Sequence, residues 1–171
     1  MNESFQRTYF DDIEERCRRP NSMVPRPFLR WAGSKRTVLR HFLDALPRKF
    51  RVYREPFLGS AALFFLLEPD RAVLSDACND LIETFLAVRD DVSSVSRYLR
   101  PMRPSKKEFY RIRSNPSKGR IKHAAEFIYL NKTCWNGLYR VNSEGTFNVP
   151  FGLPKTNCTA PPNLGQVVSC F

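Results

Sequence analysis

The sequence predicts an α/β fold carrying a strongly basic, mainly helical insertion. Two observations point there. Between residues 35 and 91, apolar spacing runs helix, strand, helix, strand, helix, the alternation of a doubly wound sheet. Residues 97–122, RYLRPMRPSKKEFYRIRSNPSKGRIK, then hold ten Lys or Arg against the single acid Glu108, which is nine of the net +11 charges. At 171 residues and 42% hydrophobic, the chain is long and apolar enough to bury a core.

Residues 1–22 mix charges and read as a tail or an appended helix. From Lys35, Val38, Leu39, Phe42, Leu43 and Leu46 recur at helical spacing until Pro47. FRVYREPF (50–57) reads as a strand entering a turn at Pro56–Gly59, and SAALFFLLE (60–68) as a buried helix with Ser60 near its start. RAVLSD (71–76) is a second strand, and NDLIETFLAVRDD (79–91) a third helix capped by Asn79. Helices over 93–99, 105–113 and 120–130 carry the basic run. NKTCWNGLYRVNSEGTFNVPFG (131–152) has the glycines and turn residues of a hairpin or long loop. The domains expected are 23–92, the start of an α/β unit; 93–155, a basic unit with the hairpin; and 156–171, a truncated return to the first. Two strands are too few for a finished sheet, so exposed edges and marginal stability are expected.

The basic run is the footprint of a polyanion-binding surface, with a solvated basic face as the plainer alternative. No apolar run is long enough to span a bilayer and no lipidation motif is present, so no membrane partner is expected. The N-terminus lacks an apolar signal region. Cys17, Cys78, Cys134, Cys158 and Cys170 are odd in number and lack C-x-x-C spacing. That argues against a metal site and for free thiols in a cytoplasmic protein.

Two stretches carry candidate chemistry. PFLRWAGSK places Arg30, Trp31 and Lys35 around a glycine turn, either a helix start over a buried tryptophan or a ligand pocket floor. EPFLGSAALFF is a strand–turn–helix, the place where open α/β sheets bind nucleotide-type cofactors. Neither G-x-G-x-x-G nor a phosphate loop is present, so a cofactor without phosphates suits it better. Asp76 ends the next strand 17 residues after Gly59, near the spacing of an acid that takes ribose hydroxyls. A plain turn at Gly59 and a helix cap at Asp76 explain the same pair.

FLRWAGSK, EPFLGSAALF, SDACNDLI and NKTCWNGLYRVNSEGTFNVPFG, in this order and spacing, resemble the Dam-type DNA adenine-N6 methyltransferases over about residues 26 to 165. The resemblance implies a Rossmann-like fold binding S-adenosylmethionine and acting on double-stranded DNA, with GATC as the default site. By it, Trp31, Lys35, Pro56, Phe57, Gly59 and Asp76 match cofactor-binding positions. Arg30, Trp135, Asn136, Leu138, Arg140, Asn142 and Pro150 match DNA-contacting ones. Trp135 and Asn136 would fill the gap left by a flipped adenine, and Arg140 would reach guanine O6 and N7. Turn chemistry for Asn142, and phosphate contact alone for Arg140, remain open beside those roles.

The match breaks in two places. Ala61 stands where the family commonly has a second glycine, setting a methyl group near the expected cofactor. The family's catalytic [DN]-P-P-[YFW] is absent: the one Pro-Pro, in TAPPNLGQVV, is preceded by Ala160 and followed by Asn163. No catalytic residue is therefore assigned, and this chain alone is expected not to methylate DNA. A complementary C-terminal chain is then an expected partner. The other reading is a non-catalytic DNA-binding remnant.

Overall fold

The computed structural model describes residues 26–33, 46–47, 50–152, 164, 168 and 170–171. The expected tail, the helix from Lys35 and the Pro161-Pro162 loop lie outside the described residues.

Strand β1 (Tyr53–Glu55) pairs in parallel with β2 (Ala72–Leu74), Arg54 opposite Val73. Helix α1 (Ala62–Leu67) connects them. Both strands are shorter than expected, and Pro56, which has no N–H to give a ladder, follows β1 directly. Pairing nonetheless continues beyond them: Ser75 N donates to the Glu55 carbonyl and Leu58 N to the Ser75 carbonyl, both at 2.9 Å. Those bonds hold the carboxyl ends of the two strands side by side, where Gly59 and Asp76 sit. Among the described residues no third strand pairs with β2, and Val73 is 48% exposed.

Helix α1 buries Ala62, Phe64, Phe65, Leu66 and Leu67. Its cap position is Ala61, held in the left-handed region at φ +58° without a side-chain cap. Ala61 is fully buried, so its methyl group packs into the core and does not line open space. The departure from glycine thus acts on the backbone, where left-handed geometry costs an L-residue about 1–2 kcal/mol.

Helix α2 (Asn79–Leu99) starts after Cys78, which corrects the expected Asn79 cap. Asp76 closes this turn instead, its Oδ1 accepting the Cys78 N–H at 3.0 Å. The two expected helices 79–91 and 93–99 join end to end here across a break at Asp91, φ −152° and ψ 70°. Asp91 Oδ1 accepts the Ser94 N–H and restarts the helix. Helix α3 (Lys106–Ser114) is capped by Ser105, whose Oγ accepts from Glu108 N at 3.1 Å. Helix α4 (Arg120–Thr133) packs along α2, joining Leu81, Phe85, Val88 and Val95 to Ala124, Ala125 and Ile128 in one core cluster. Within α4, Glu126 is only 2% exposed, yet both oxygens are used: they accept the Ser117 N–H and Oγ–H, each at 2.7 Å. A buried carboxylate so paired pins the loop between α3 and α4.

After α4 comes a single 3-10 turn, Trp135–Gly137. From there the chain doubles back through two isolated antiparallel bridges, Cys134 with Phe151 and Val141 with Phe147. Among the described residues, no helix is long and apolar enough to cross a membrane.

Candidate cofactor and DNA-contact site

Gly59 and Asp76 follow the ends of neighbouring parallel strands, and Asp76 Oδ2 accepts the Gly59 N–H at 2.9 Å. With Oδ1 on Cys78 N, the carboxylate spans both turns and keeps lone pairs for further donors. Trp31 lies over this turn. A Cβ added at Gly59, where φ is +53°, would stand 3.0 Å from Trp31 Cδ1, so both the backbone angle and the indole favour glycine there. Trp31, Gly59 and Asp76 thus form one cluster. Pro56 and Phe57 follow β1 on the surface, Phe57 75% exposed. Lys35 lies outside the described residues.

The segment before Trp31 is gripped from the other side. Asn131, at the end of α4 and only 3% exposed, takes the Arg30 N–H on Oδ1 and donates Nδ2–H to the Arg30 carbonyl, both at 2.8 Å. The Arg30 side chain itself is exposed and crosses Gly137, where a Cβ would meet Arg30 Cδ at 2.5 Å. Asn136 and Gly137 are both left-handed, φ +55° and +64°, the pair an Asn-Gly turn favours. That turn leaves Trp135 54% exposed, with its backbone N–H tied to the Pro150 carbonyl at 2.9 Å. Arg30, Trp135, Asn136 and Pro150 therefore gather around one turn, all exposed, with Leu138 half-buried.

Tyr139 joins the two groups. Its ring stacks on Trp31, centroids 5.3 Å apart at 18°, and meets Phe127 and Phe147 at tilted angles. Its hydroxyl donates to Asp80 Oδ2 at 3.2 Å, and Asp80 Oδ1 lies 3.5 Å from His123 Nε2. The His123 contact holds the Asp80 carboxyl below its ordinary range, and Asp80 in turn raises His123. Burial, with Cys78 and Asp80 alongside, pushes the Tyr139 phenol up, so it stays a donor. Asp80, His123, Phe127, Tyr139 and Phe147 border a cavity of about 290 Å³ between α4 and the 142–147 turn.

At that turn, Asn142 Oδ1 accepts from Glu144 N at 3.1 Å and Thr146 N at 2.8 Å. Its carbonyl takes Gly145 N at 3.0 Å, so turn chemistry occupies the amide oxygen. Arg140 stays exposed, its Nε donating to Asn148 Oδ1 at 2.8 Å. Of the ten cations between 97 and 122, all are exposed except Arg113, which is partly buried. Arg113 lies 4.7 Å over the Tyr110 ring and donates to the carbonyls of Asn148 and Val149. It is a structural cation within the basic run.

The described cysteines, Cys78, Cys134 and Cys170, are free, and burial raises the Cys134 thiol to about 11. Among the described residues, no three His, Cys, Asp or Glu side chains gather as a metal site. Asn131, Tyr139, Asp80, His123 and Asn148 were not singled out by sequence. The readable signal is an Asn ending AAEFIYLN, a run that is apolar except for Glu126.

With this geometry in place, the comparisons define the class. Residues 31–167 match the family of D12 class N6 adenine-specific DNA methyltransferases, and the chain belongs to it. It is 39% identical over 140 residues to the type II methyltransferase M1.LlaDCHI of Lactococcus lactis subsp. cremoris, covering 77% of this chain and 49% of that protein. It is 38% identical over 153 residues to M.MjaIII of Methanocaldococcus jannaschii, covering 76% and 53%. It is 35% identical over 139 residues to the DNA adenine methylase of Haemophilus influenzae, covering 77% and 49%. The chain spans about half the length of these curated relatives.

Proposed function

We propose that this chain is the cofactor-binding and DNA-recognition portion of a methyltransferase that acts on adenine N6 in duplex DNA. The observation that carries the reading is the Trp31–Gly59–Asp76 cluster at the ends of two parallel strands, the place where such sheets bind ligands. The bare backbone at Gly59, under an indole and beside a carboxylate, fits S-adenosylmethionine. Trp31 would cover it, Asp76 would accept from its ribose hydroxyls, and Lys35 would pair with its carboxylate. Pro56 and Phe57 would line the adjoining wall. When bound, S-adenosylmethionine supplies an electrophilic methyl group.

Residues 23–92 would form the cofactor unit and 93–155 the recognition unit. In the second, the exposed lysines and arginines hold phosphates, while Arg30, Leu138, Arg140, Asn142 and Pro150 meet base edges. Trp135, presented by its turn, is a wedge for the gap that a flipped adenine leaves, with Asn136 facing the orphaned base. Transfer also needs acceptors that draw hydrogens from the adenine amine. This chain has no [DN]-P-P-[YFW] to supply them, so turnover depends on a polypeptide that does, in cis or as a complementary chain. The free thiols favour a cytoplasmic setting.

Titration calorimetry with S-adenosylmethionine tests the reading. The wild-type chain should bind, and Asp76→Ala should weaken binding at least tenfold. Equal affinity in both would remove Asp76 from the site.

A further inference from the structure

We propose that Asn148 is a positioning residue for base recognition: it locks the guanidinium of Arg140 so that only the terminal amine fork faces DNA. The inference rests on the DNA-recognition reading above and deepens it to one chemistry, the paired acceptors O6 and N7 of guanine.

Four bonds make the lock. Arg140 Nε donates to Asn148 Oδ1 at 2.8 Å, and since a guanidinium has no acceptor, the amide oxygen must be the atom facing it. The Asn148 backbone N–H donates to the Arg140 carbonyl at 3.0 Å, so the two residues are paired across the returning chain at side chain and main chain alike. The Asn148 backbone is held from behind by Arg113, whose Nη1 donates to the Asn148 carbonyl at 3.4 Å and the Val149 carbonyl at 3.0 Å. Arg113 itself is stacked over Tyr110, 4.7 Å from its centroid, on helix α3. The anchor therefore reaches from a packed helix to an exposed arginine.

The consequence is geometric. A free arginine can offer a base either its Nε edge or its terminal edge, and can turn aside to a phosphate. With Nε engaged, four N–H groups on Nη1 and Nη2 remain: one shares the Nε edge facing Asn148, and two, one on each nitrogen, form the terminal fork. Such a fork suits two acceptors side by side, the pattern guanine shows in the major groove. Holding it there before DNA arrives removes rotamer freedom that binding would otherwise have to remove.

The test uses the full chain and a random-sequence duplex library, followed by competition with the selected duplex carrying 7-deazaguanine, which lacks N7. Wild type should enrich a sequence with a fixed guanine and discriminate against 7-deazaguanine there by about tenfold. Arg140→Ala should lose that discrimination. Asn148→Ala should lose most of it while keeping the salt dependence of binding. Asn148→Asp, which keeps the acceptor, should retain discrimination though its charge lowers overall affinity. Full discrimination in Asn148→Ala, with loss only in Arg140→Ala, overturns the positioning role and leaves the recognition reading intact. A uniform loss of affinity in Asn148→Ala, with a shallower salt slope, makes Asn148 a phosphate contact and also overturns it. No enriched sequence for wild type, or unchanged discrimination in Arg140→Ala, overturns the reading beneath.

Discussion

Trp31 and Tyr139 stack face to face, 5.3 Å apart, although one sits at the candidate cofactor cluster and the other in the chain that doubles back after α4. The ring pair is thus the physical joint between the two halves of the candidate site. Tyr139→Phe keeps the stack and removes the bond to Asp80, which should cost about 1 kcal/mol. Tyr139→Ala removes both and should cost about 2–4 kcal/mol. Urea unfolding measures each; equal losses would mean that the stack contributes nothing.

Ala61 sits at φ +58°, so it should be one of the few positions where a smaller residue stabilises this chain. Ala61→Gly relieves left-handed strain but loses a buried methyl group and adds freedom to the unfolded chain, for a net gain of up to about 1 kcal/mol. A rise in the urea midpoint with unchanged slope is the expected result; a fall would place packing above strain.

The Asn131 clamp predicts that exchanging one heavy atom is as damaging as truncation. Asn131→Asp replaces the Nδ2 donor with an oxygen facing the Arg30 carbonyl, and Asn131→Ala leaves both Arg30 groups unpaired. Each should cost about 2–3 kcal/mol. Thermal unfolding checks this, with Asn131→Gln as a longer amide that should recover part of the loss.

The pair formed by His123 and Asp80 gives a pH window. His123, raised above its ordinary 6.5 chiefly by the Asp80 bond, adds stability that is complete below 6.5 and lost as pH climbs through the raised value. Asp80, lowered from 3.8 chiefly by His123, adds stability present above 3.8 and lost as pH falls through the lowered value. The pair therefore helps most between 3.8 and 6.5, with Glu126 and the Tyr139 hydroxyl as its neighbours. Because Asp80 is partly exposed, the contribution stays under about 1 kcal/mol. Melting temperature against pH should decline above 6.5 in wild type and flatten there in His123→Gln.

Duplex binding should fall steeply with salt, and Lys106→Ala and Lys107→Ala should each flatten the log–log slope by about 0.9 where the lysine meets a phosphate. Arg113→Ala should behave differently: it should lower stability, because Arg113 is spent on carbonyls and the Tyr110 ring.

The parts legible in sequence were those governed by local pattern. The strand–helix–strand order around Gly59 was visible because apolar spacing changes period there, and Asp76 because it ends a strand at a recognisable distance. Ser105, Asp91 and Cys78 show the limit: which residue caps a helix depends on one torsion, and Asn79 looked as suitable as its neighbour. Asn131 and Tyr139 were hidden for another reason. Their partners, Arg30 and Trp31, are about a hundred positions away, and no local spacing encodes that. Asn142 was readable as a turn former, and its amide oxygen is used in that way.

The clamp between Arg30 and Asn131 spans 101 residues, which sets a schedule for synthesis. At about 5–20 residues per second, roughly 5–20 s pass between translation of one partner and of the other. Throughout that interval the Phe28–Trp31 segment lacks its α4 partner, and the candidate cofactor floor waits on that helix. A ribosome stalled before codon 131 would display the β1–β2 pair without the Asn131 clamp, with Phe85 of α2 as the ring already present for Phe28.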